Sequence, residues 1–202
     1  IIEIGGTVGE YENLLFLEAA RVMKLFNPDD VLFVLVSYLP APRMIGEMKT
    51  KPTQHAVRNL QSAGIQPDFI IARSERPLDQ PRREKLSINC NVPAGAVISA
   101  PDADSIYDIP LNFEKDDLSR RILEKFGLPV KKGDGDLAWK KMAAACRVSK
   151  PVVEIGLVGK YFVSGDFSFG DSYISVLEAI KHAAAHNHCH AHIHWLSSED
   201  VE

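Results

Sequence analysis

The sequence is short of cysteine, of basic surplus and of long apolar runs, and each shortage excludes something. Its three cysteines, Cys90, Cys146 and Cys189, are odd in number, widely spaced and without a CxxC pair. Reduced thiols in the cytosol are the expected state. Lysine and arginine number 23 against 27 acids, a formal net charge of -4. Nucleic-acid binders carry the opposite balance. No apolar run approaches the ~20 residues of a membrane span, and no signal-peptide pattern is visible. The first residue is Ile1 rather than Met. What remains is a chain of 202 residues, expected in the cytoplasm and 46% apolar, enough for one or two compact domains with cores of their own.

Strand and helix patterns alternate along the chain, which predicts an α/β class. Ile1–Ile4 reads as a short buried strand, and a helix is expected over Leu14–Phe26, closed by Asn27-Pro28. The run VLFVLVSYLP (31–40) reads as a strand buried on both faces of a parallel sheet. Pro52 opens an expected helix to Ala63, stopped by Gly64. DFIIARS (68–74) and AVISA (96–100) are further strands, and Asp117–Phe126 is a helix stopped by Gly127 and Pro129. PVKKGDGD (129–136) and SKP (149–151) then mark breaks on either side of a short linker helix. A new unit follows: strand VVEIGLVGKY, loop FVSGDFSFG, a helix from Asp171 to His186, and a strand from His190 to Leu196. That amounts to one and a half α/β domains, with no internal repeat.

Four stretches carry candidate chemistry. Glu3 stands before Gly5-Gly6 at an expected strand end, where open α/β sheets bind ligands. An acid there suits Mg²⁺ held together with phosphates, and a strand-end acid in water fits equally. In GEMKTKPTQH (46–55), Lys49 and Lys51 flank Thr50 at a helix start. Free N–H groups and two ammonium groups suit a polyphosphate, although a solvated basic turn has the same pattern. Arg73, Arg76, Arg82, Arg83 and Lys85 fall around a loop entering a helix, mostly as solvated surface. His188, His190, His192 and His194 alternate, so on a strand they share one face, with Cys189, Ala191, Ile193 and Trp195 on the other. Histidines at i and i+2 can bind zinc, but a wet face backed by an apolar one explains the alternation without metal.

Together EIGGTVGEYE, GEMKTKPTQH, GIQPDFIIARS, the NVP…AVIS…DSIY run and GLVGKY…DSYISVLEAIKHA resemble the CTP synthases over the whole chain. These enzymes aminate UTP with ammonia taken from glutamine. The resemblance implies a P-loop-related parallel-sheet synthase domain, a linker and a class I glutamine amidotransferase domain. Residues 1–128 then correspond to the C-terminal part of the synthase domain, 129–150 to the linker, and 151–202 to the start of the amidotransferase domain. An internal piece of a larger enzyme is therefore expected, without the upstream phosphate loop, the second metal-binding Asp or the downstream Cys, His and Glu. None of the three cysteines stands in a nucleophile elbow, so no catalytic residue is expected here. As an isolated polypeptide the chain is expected to be inactive.

By the same resemblance, Glu3 is a Mg²⁺ ligand beside ATP. Glu10, Tyr11 and Glu12 match the acid–apolar–acid triplet that contacts the feedback inhibitor CTP, with Glu and Tyr where Asp and Ile are usual. Lys49, Thr50, Lys51, Pro52, Thr53 and Gln54 match the UTP or CTP triphosphate segment, which usually acts across a subunit interface, and Lys85 another nucleotide contact. Arg73, Pro101, Asp102 and Ala103 fall where ATP adenine binds. Implied besides are GTP as allosteric activator, a homotetramer, and no nucleic-acid or membrane partner. The Phe162–Asp171 loop is longer than the tightest family versions. Two other readings stay open: a different P-loop amidoligase, and a non-catalytic nucleotide-binding or assembly module.

Overall fold

The computed structural model describes residues 1–42, 44, 46–130, 135–147, 151–160, 163–164, 167–168 and 170–198. The chain divides into two units, Ile1–Lys132 and Gly133–Glu202. The boundary falls inside the stretch expected as a linker.

In the first unit α1 spans Leu14–Phe26, β1 Val34–Tyr38, α2 Lys51–Ser62, β2 Phe69–Ser74, α3 Gln80–Cys90 and β3 Val97–Pro101, followed by α4 (Ile109–Glu114) and α5 (Leu118–Lys125). The three strands form a parallel sheet in the order β1-β2-β3, with Leu35 opposite Ile70 and Ile70 opposite Val97. Leu35, Val57, Ile70, Leu86, Cys90 and Val97 close one core with Phe69, Ile71, Ile98 and Leu118. Burying each large apolar side chain stabilises the fold by roughly 1.5–3 kcal/mol.

The helix ends explain why the sheet returns where it does. Gly64 takes a left-handed φ of +77°, its N–H reaching Gln61 O, while Ile65 N–H reaches back to Leu60 O. This closing motif also packs Ile65 against Leu60 and Leu17, with Ile4, Val8 and Phe33 around them. On α3, Asp79 caps the first turn by accepting from Arg82 N–H, and Pro81 sits where no helical N–H is needed.

Two strand expectations are corrected. Ile1–Ile4 forms no strand: among the described residues none lies beside it to take its backbone hydrogen bonds, Ile1 and Ile2 face solvent, and only Ile4 packs inward. The 31–40 run yields the five residues of β1, and they are buried on one face only. In the order β1-β2-β3 this strand is an edge. Leu35 points into the core, whereas Val36 is 60% exposed and Val34 and Tyr38 are bare beside it.

In the second unit α6 spans Gly135–Arg147, β4 Val152–Gly159, β5 Val163–Ser164, β6 Phe167–Ser168, α7 Ile174–His186 and β7 His190–Ser197. β4 and β7 pair in parallel, β5 and β6 antiparallel, and α6 packs against α7. The expected long loop thus contains a small strand pair; its residues 162, 165, 166 and 169, and residue 161 at the end of the expected strand, lie outside the described set. The helix starts at Ile174 rather than Asp171, after a 3₁₀ turn over Gly170–Tyr173. His188 is not on the strand. It ends α7 in the left-handed conformation, at φ +55°, where Cys189 N–H reaches Ala184 O. Cys189 likewise precedes β7. The face carrying Ala191, Ile193 and Trp195 is half-buried rather than core.

Candidate functional site

Parallel strands deliver their carboxyl ends, and the loops that follow them, to one edge of the sheet. Here the edge gathers residues 39–42 and 46–50 after β1, the 75–79 turn after β2 and the 101–108 turn after β3. Leu39 N–H donates to Arg73 O (2.7 Å), Lys49 N–H to Pro40 O (2.8 Å) and Asp102 N–H to Ser74 O (2.9 Å). The first and third bonds tie the segments after β1 and β3 to the end of β2, and the second closes the segment after β1 on itself.

A cleft of about 340 Å³ opens there, lined by Glu47, Met48, Lys49, Thr50, Lys51, Pro81, Arg82 and Lys85. It joins the N-terminus of α2 to the first turns of α3. Lys49, Lys51 and Lys85, 34 to 36 positions apart between the two helices, meet in this one space. Lys49 Nζ donates to Glu47 Oε2 (2.7 Å), which holds the Glu47 carboxyl below its ordinary range. Arg82 also reaches Glu47 Oε1 (3.2 Å), donates through Nε to Met48 O (2.9 Å) and pairs with Asp79. Among the described residues Lys51 and Lys85 make no ion pair. Four cations line the cleft with the Glu47 carboxylate, Arg82 being shared with Asp79, at the N-terminus of a helix, and this suits an oligophosphate anion.

The other residues of the 49–54 segment have a different task. Thr50, Thr53 and Gln54 are buried. Thr53 Oγ1 shares a hydrogen bond with Ser37 Oγ on β1 (2.8 Å), and Gln54 Nε2 donates to Thr50 Oγ1 (3.1 Å). They anchor the helix start and leave the exposed Lys51 and the half-exposed Lys49 at the cleft; Pro52 is exposed but does not line it. Gln54 Oε1 is buried without a partner among the described residues.

Arg73 and Pro101–Ala103 are side by side at the ends of β2 and β3. Ser74 is opposite Pro101, and Arg73 Nη2 is 3.7 Å from Asp102 Oδ1. Both side chains are largely exposed, so this contact leaves the guanidinium available to a ligand.

Glu10, Tyr11 and Glu12 lie elsewhere, on a loop closed by the 3₁₀ turn Tyr11–Asn13. Asn13 is buried and donates to Thr7 O (2.7 Å) and Gly5 O (3.5 Å), which folds the loop on itself. Hydrogen bonds from Thr7 lower the pKa of Glu10. A Cβ added at Gly9 would meet Asn59 Nδ2 at 3.6 Å. Asn59 is eight residues beyond Lys51, about 12 Å along a helix. The triplet therefore stands by the far end of α2 and contributes nothing to the lysine cleft of its own chain. Tyr11 (88% exposed), Leu15 and Phe16 form an uncovered apolar rim around it.

Glu3 is exposed in an irregular segment, and among the described residues it belongs to no cluster of three metal-ligating groups. It supplies a single carboxylate, which suits Mg²⁺ only when phosphate oxygens complete the shell.

Glu47 and Asn13 were not singled out from the sequence, and neither carries a local signal. Of the basic run expected mostly as solvated surface, Arg82 lines the cleft, held by Asp79 three residues before it. Arg83 turns inward: Nη2 donates to both Asp116 oxygens (3.0 and 3.1 Å) and Nη1 to Val97 O, while Asp116 accepts Ser99 N–H (2.7 Å). This pair fastens α3 to β3 and to the start of α5.

A parallel α/β sheet with a cationic cleft at its carboxyl edge is an α/β protein of the kind whose strand-end loops suit anionic ligands. Comparison with known proteins narrows the class. The family described as "CTP synthase N-terminus" matches residues 1–128. CTP synthases of Thermococcus gammatolerans and Pyrococcus abyssi are each 46% identical over 203 residues, covering 100% of this chain and 37% of the relative. That of Methanocaldococcus jannaschii is 46% identical over 205 residues, covering 100% and 36%. The chain belongs to the CTP synthase family. It spans little more than a third of the length of these relatives.

Proposed function

We propose that the chain is part of a glutamine-hydrolysing CTP synthase. Residues 1–128 belong to the synthase domain, 129–150 to the linker and 151–202 to the amidotransferase domain. The reaction is the ATP-dependent amination of UTP: the 4-oxygen of UTP takes a phosphoryl group from ATP, and ammonia from glutamine then displaces phosphate. The lysine cleft binds the triphosphate of UTP, and of CTP as feedback inhibitor. The observation that carries this reading is the meeting of Lys49, Lys51 and Lys85 in one cleft, since only a polyanion uses three ammonium groups at a helix N-terminus.

Arg73 and the Pro101–Ala103 turn face the ATP base. Glu3 offers its carboxylate to Mg²⁺, whose charge, when bound, neutralises the ATP phosphates. Glu10, Tyr11 and Glu12 contact the pyrimidine and ribose end of a nucleotide whose phosphates sit in the cleft of a second copy. Their distance from their own lysines and the uncovered rim of Tyr11, Leu15 and Phe16 both support a shared site, within the homotetramer that the family implies. GTP acts as the activator. The protein works in the cytosol.

The test uses the full-length enzyme with ammonium salt as nitrogen source, following CTP by absorbance. Lys51→Ala and Lys85→Ala are expected to raise KM for UTP while leaving KM for ATP and glutamine hydrolysis little changed. A raised KM for ATP with an unaltered UTP response would assign the cleft to the wrong nucleotide.

A further inference from the structure

The second unit carries a side-chain cluster that the CTP synthase reaction does not use. β4 and β7 run in parallel with Glu154 opposite His192 and Gly156 opposite His194. All four positions share one face of the pair. Gly156 has no side chain, and Leu196 Cδ1 packs over it, 3.1 Å from where a Cβ would stand. His194, diagonal to Glu154, meets no side chain from Gly156 and reaches the carboxylate. Glu154 Oε2 lies 2.7 Å from His192 Nδ1 and 2.6 Å from His194 Nε2. The rings meet edge to face with centroids 4.7 Å apart.

We infer that Glu154, His192 and His194 form a site for one divalent transition-metal ion of the zinc class. Their ligand atoms all lie within 4.8 Å of one another. Tetrahedral coordination at about 2.1 Å sets neighbouring ligands about 3.4 Å apart, so the carboxylate and the rings need open by less than 1 Å. All three side chains are exposed and make that adjustment by small χ rotations. Two imidazoles and one carboxylate select zinc and its neighbours over Mg²⁺, which prefers oxygen alone. The ion takes the place of these hydrogen bonds. Each imidazole would bind it through the nitrogen beside Glu154, any proton on that nitrogen passing to solvent and the other ring nitrogen carrying one. Solvent fills the remaining coordination position. The strand alternation alone favoured a plain wet face; the carboxylate from the neighbouring strand, 38 residues away from His192, changes that balance. An ion held here ties β4 to β7 across the α7 connection.

The test uses full-length protein purified without a histidine tag, stripped with chelator and titrated with Zn²⁺ against a chromophoric competitor. Glu154→Gln, His192→Asn and His194→Asn, made singly, are each expected to weaken one zinc equivalent by at least about tenfold. His190→Asn, opposite Val152 and outside the cluster, should retain that equivalent. Without metal all five proteins should melt alike, and zinc should raise the melting temperature of wild type and His190→Asn only. Full retention of the equivalent in any of the three ligand variants overturns the site. So does an equal loss in His190→Asn, which would mean a diffuse histidine surface.

Discussion

The lysine cleft predicts an unequal response to removal of its charges. Lys51 and Lys85 are exposed and have no ion-pair partner among the described residues, so a bound triphosphate gains their full contact. A hydrogen bond to a charged group contributes about 1.5–3 kcal/mol. Exposure and salt place both near the lower end, and about 1.4 kcal/mol is a tenfold change in affinity. Lys51→Ala and Lys85→Ala should each weaken UTP about tenfold. The double variant should approach about a hundredfold if the two contacts act independently. Lys49 differs because its ammonium already holds Glu47 at 2.7 Å. Binding phosphate there gives up an existing pair, and Lys49→Ala also removes the partner that offset the Glu47 carboxylate. Its loss should be smaller than that of Lys51→Ala if the ammonium must leave Glu47, and Glu47→Gln should then tighten UTP. Calorimetric titration of the full-length enzyme with UTP and with uridine separates the terms, because uridine lacks the phosphates and should be insensitive to all four substitutions. Added salt should weaken UTP binding more in wild type than in the double variant. An unchanged UTP affinity in Lys51→Ala, or weaker UTP binding in Glu47→Gln, would refute this account of the cleft.

Glu12→Ala should relieve inhibition by CTP more than it harms turnover of UTP, read from inhibition curves at fixed UTP, because the two nucleotides share phosphates and differ at the ring; equal losses would make the acid structural. Asp116→Ala should cost about 2–3 kcal/mol in urea unfolding, since it strips three hydrogen bonds and leaves the Arg83 charge half-buried without its partner. Burial pushes the Cys90 thiol up to about 11 from 9.0, against a smaller opposing effect of Arg58. That leaves about a hundredfold less thiolate near neutral pH, so native Cys90 should resist iodoacetamide while Cys146 and Cys189 are alkylated. The sign for stability follows: below pH 9 both the folded and the unfolded thiol are protonated and the contribution is complete, and it is lost as pH rises from about 9 through about 11.

What the sequence made legible was local. α1 has the expected bounds because its apolar spacing and the Asn27-Pro28 stop are both short-range signals. α2 follows from Pro52 and Gly64 in the same way. Pairing was not legible. Ile1–Ile4 has strand composition, but composition does not name a neighbour to share hydrogen bonds with, and the segment packs Ile4 against α1 and α2 instead. The 31–40 run looked buried on both faces, yet the strand order left β1 at an edge. The cleft was half visible: Lys49 and Lys51 mark a helix start, while Lys85 joins them only through the packing of α3 on α2, which no spacing encodes. Glu154 was silent for the same reason, since its histidines come from a strand on the far side of a helix.

The position of the acid triplet leads to a test of how the nucleotide site is assembled. Within one chain the loop carrying Glu10 and Glu12 lies against Asn59, about 12 Å along α2 from Lys51. If one chain supplied both halves, a single nucleotide would have to lie along α2, and the apolar rim of Tyr11, Leu15 and Phe16 would stay in water. If two copies share the site, the rim is covered by the partner and the acids face the partner's cleft. Mixed oligomers separate these arrangements. Glu12→Ala and Lys51→Ala are each expected to be defective alone, the first in CTP recognition and the second in UTP binding. Co-assembled in trans, one site in a hybrid pair receives Glu12 from the Lys51→Ala copy and Lys51 from the Glu12→Ala copy, and is intact. Co-assembled in cis, every site keeps one defect. Unfolding and refolding the two variants together at equal ratio should therefore restore a fraction of sites with both tight UTP binding and full CTP inhibition. Random pairing makes that fraction about a quarter, because half the pairs are hybrid and one of the two sites in each is whole. Refolded mixtures no better than the average of the separate variants, with hybrids verified by a mass tag, would show that each chain builds its own site.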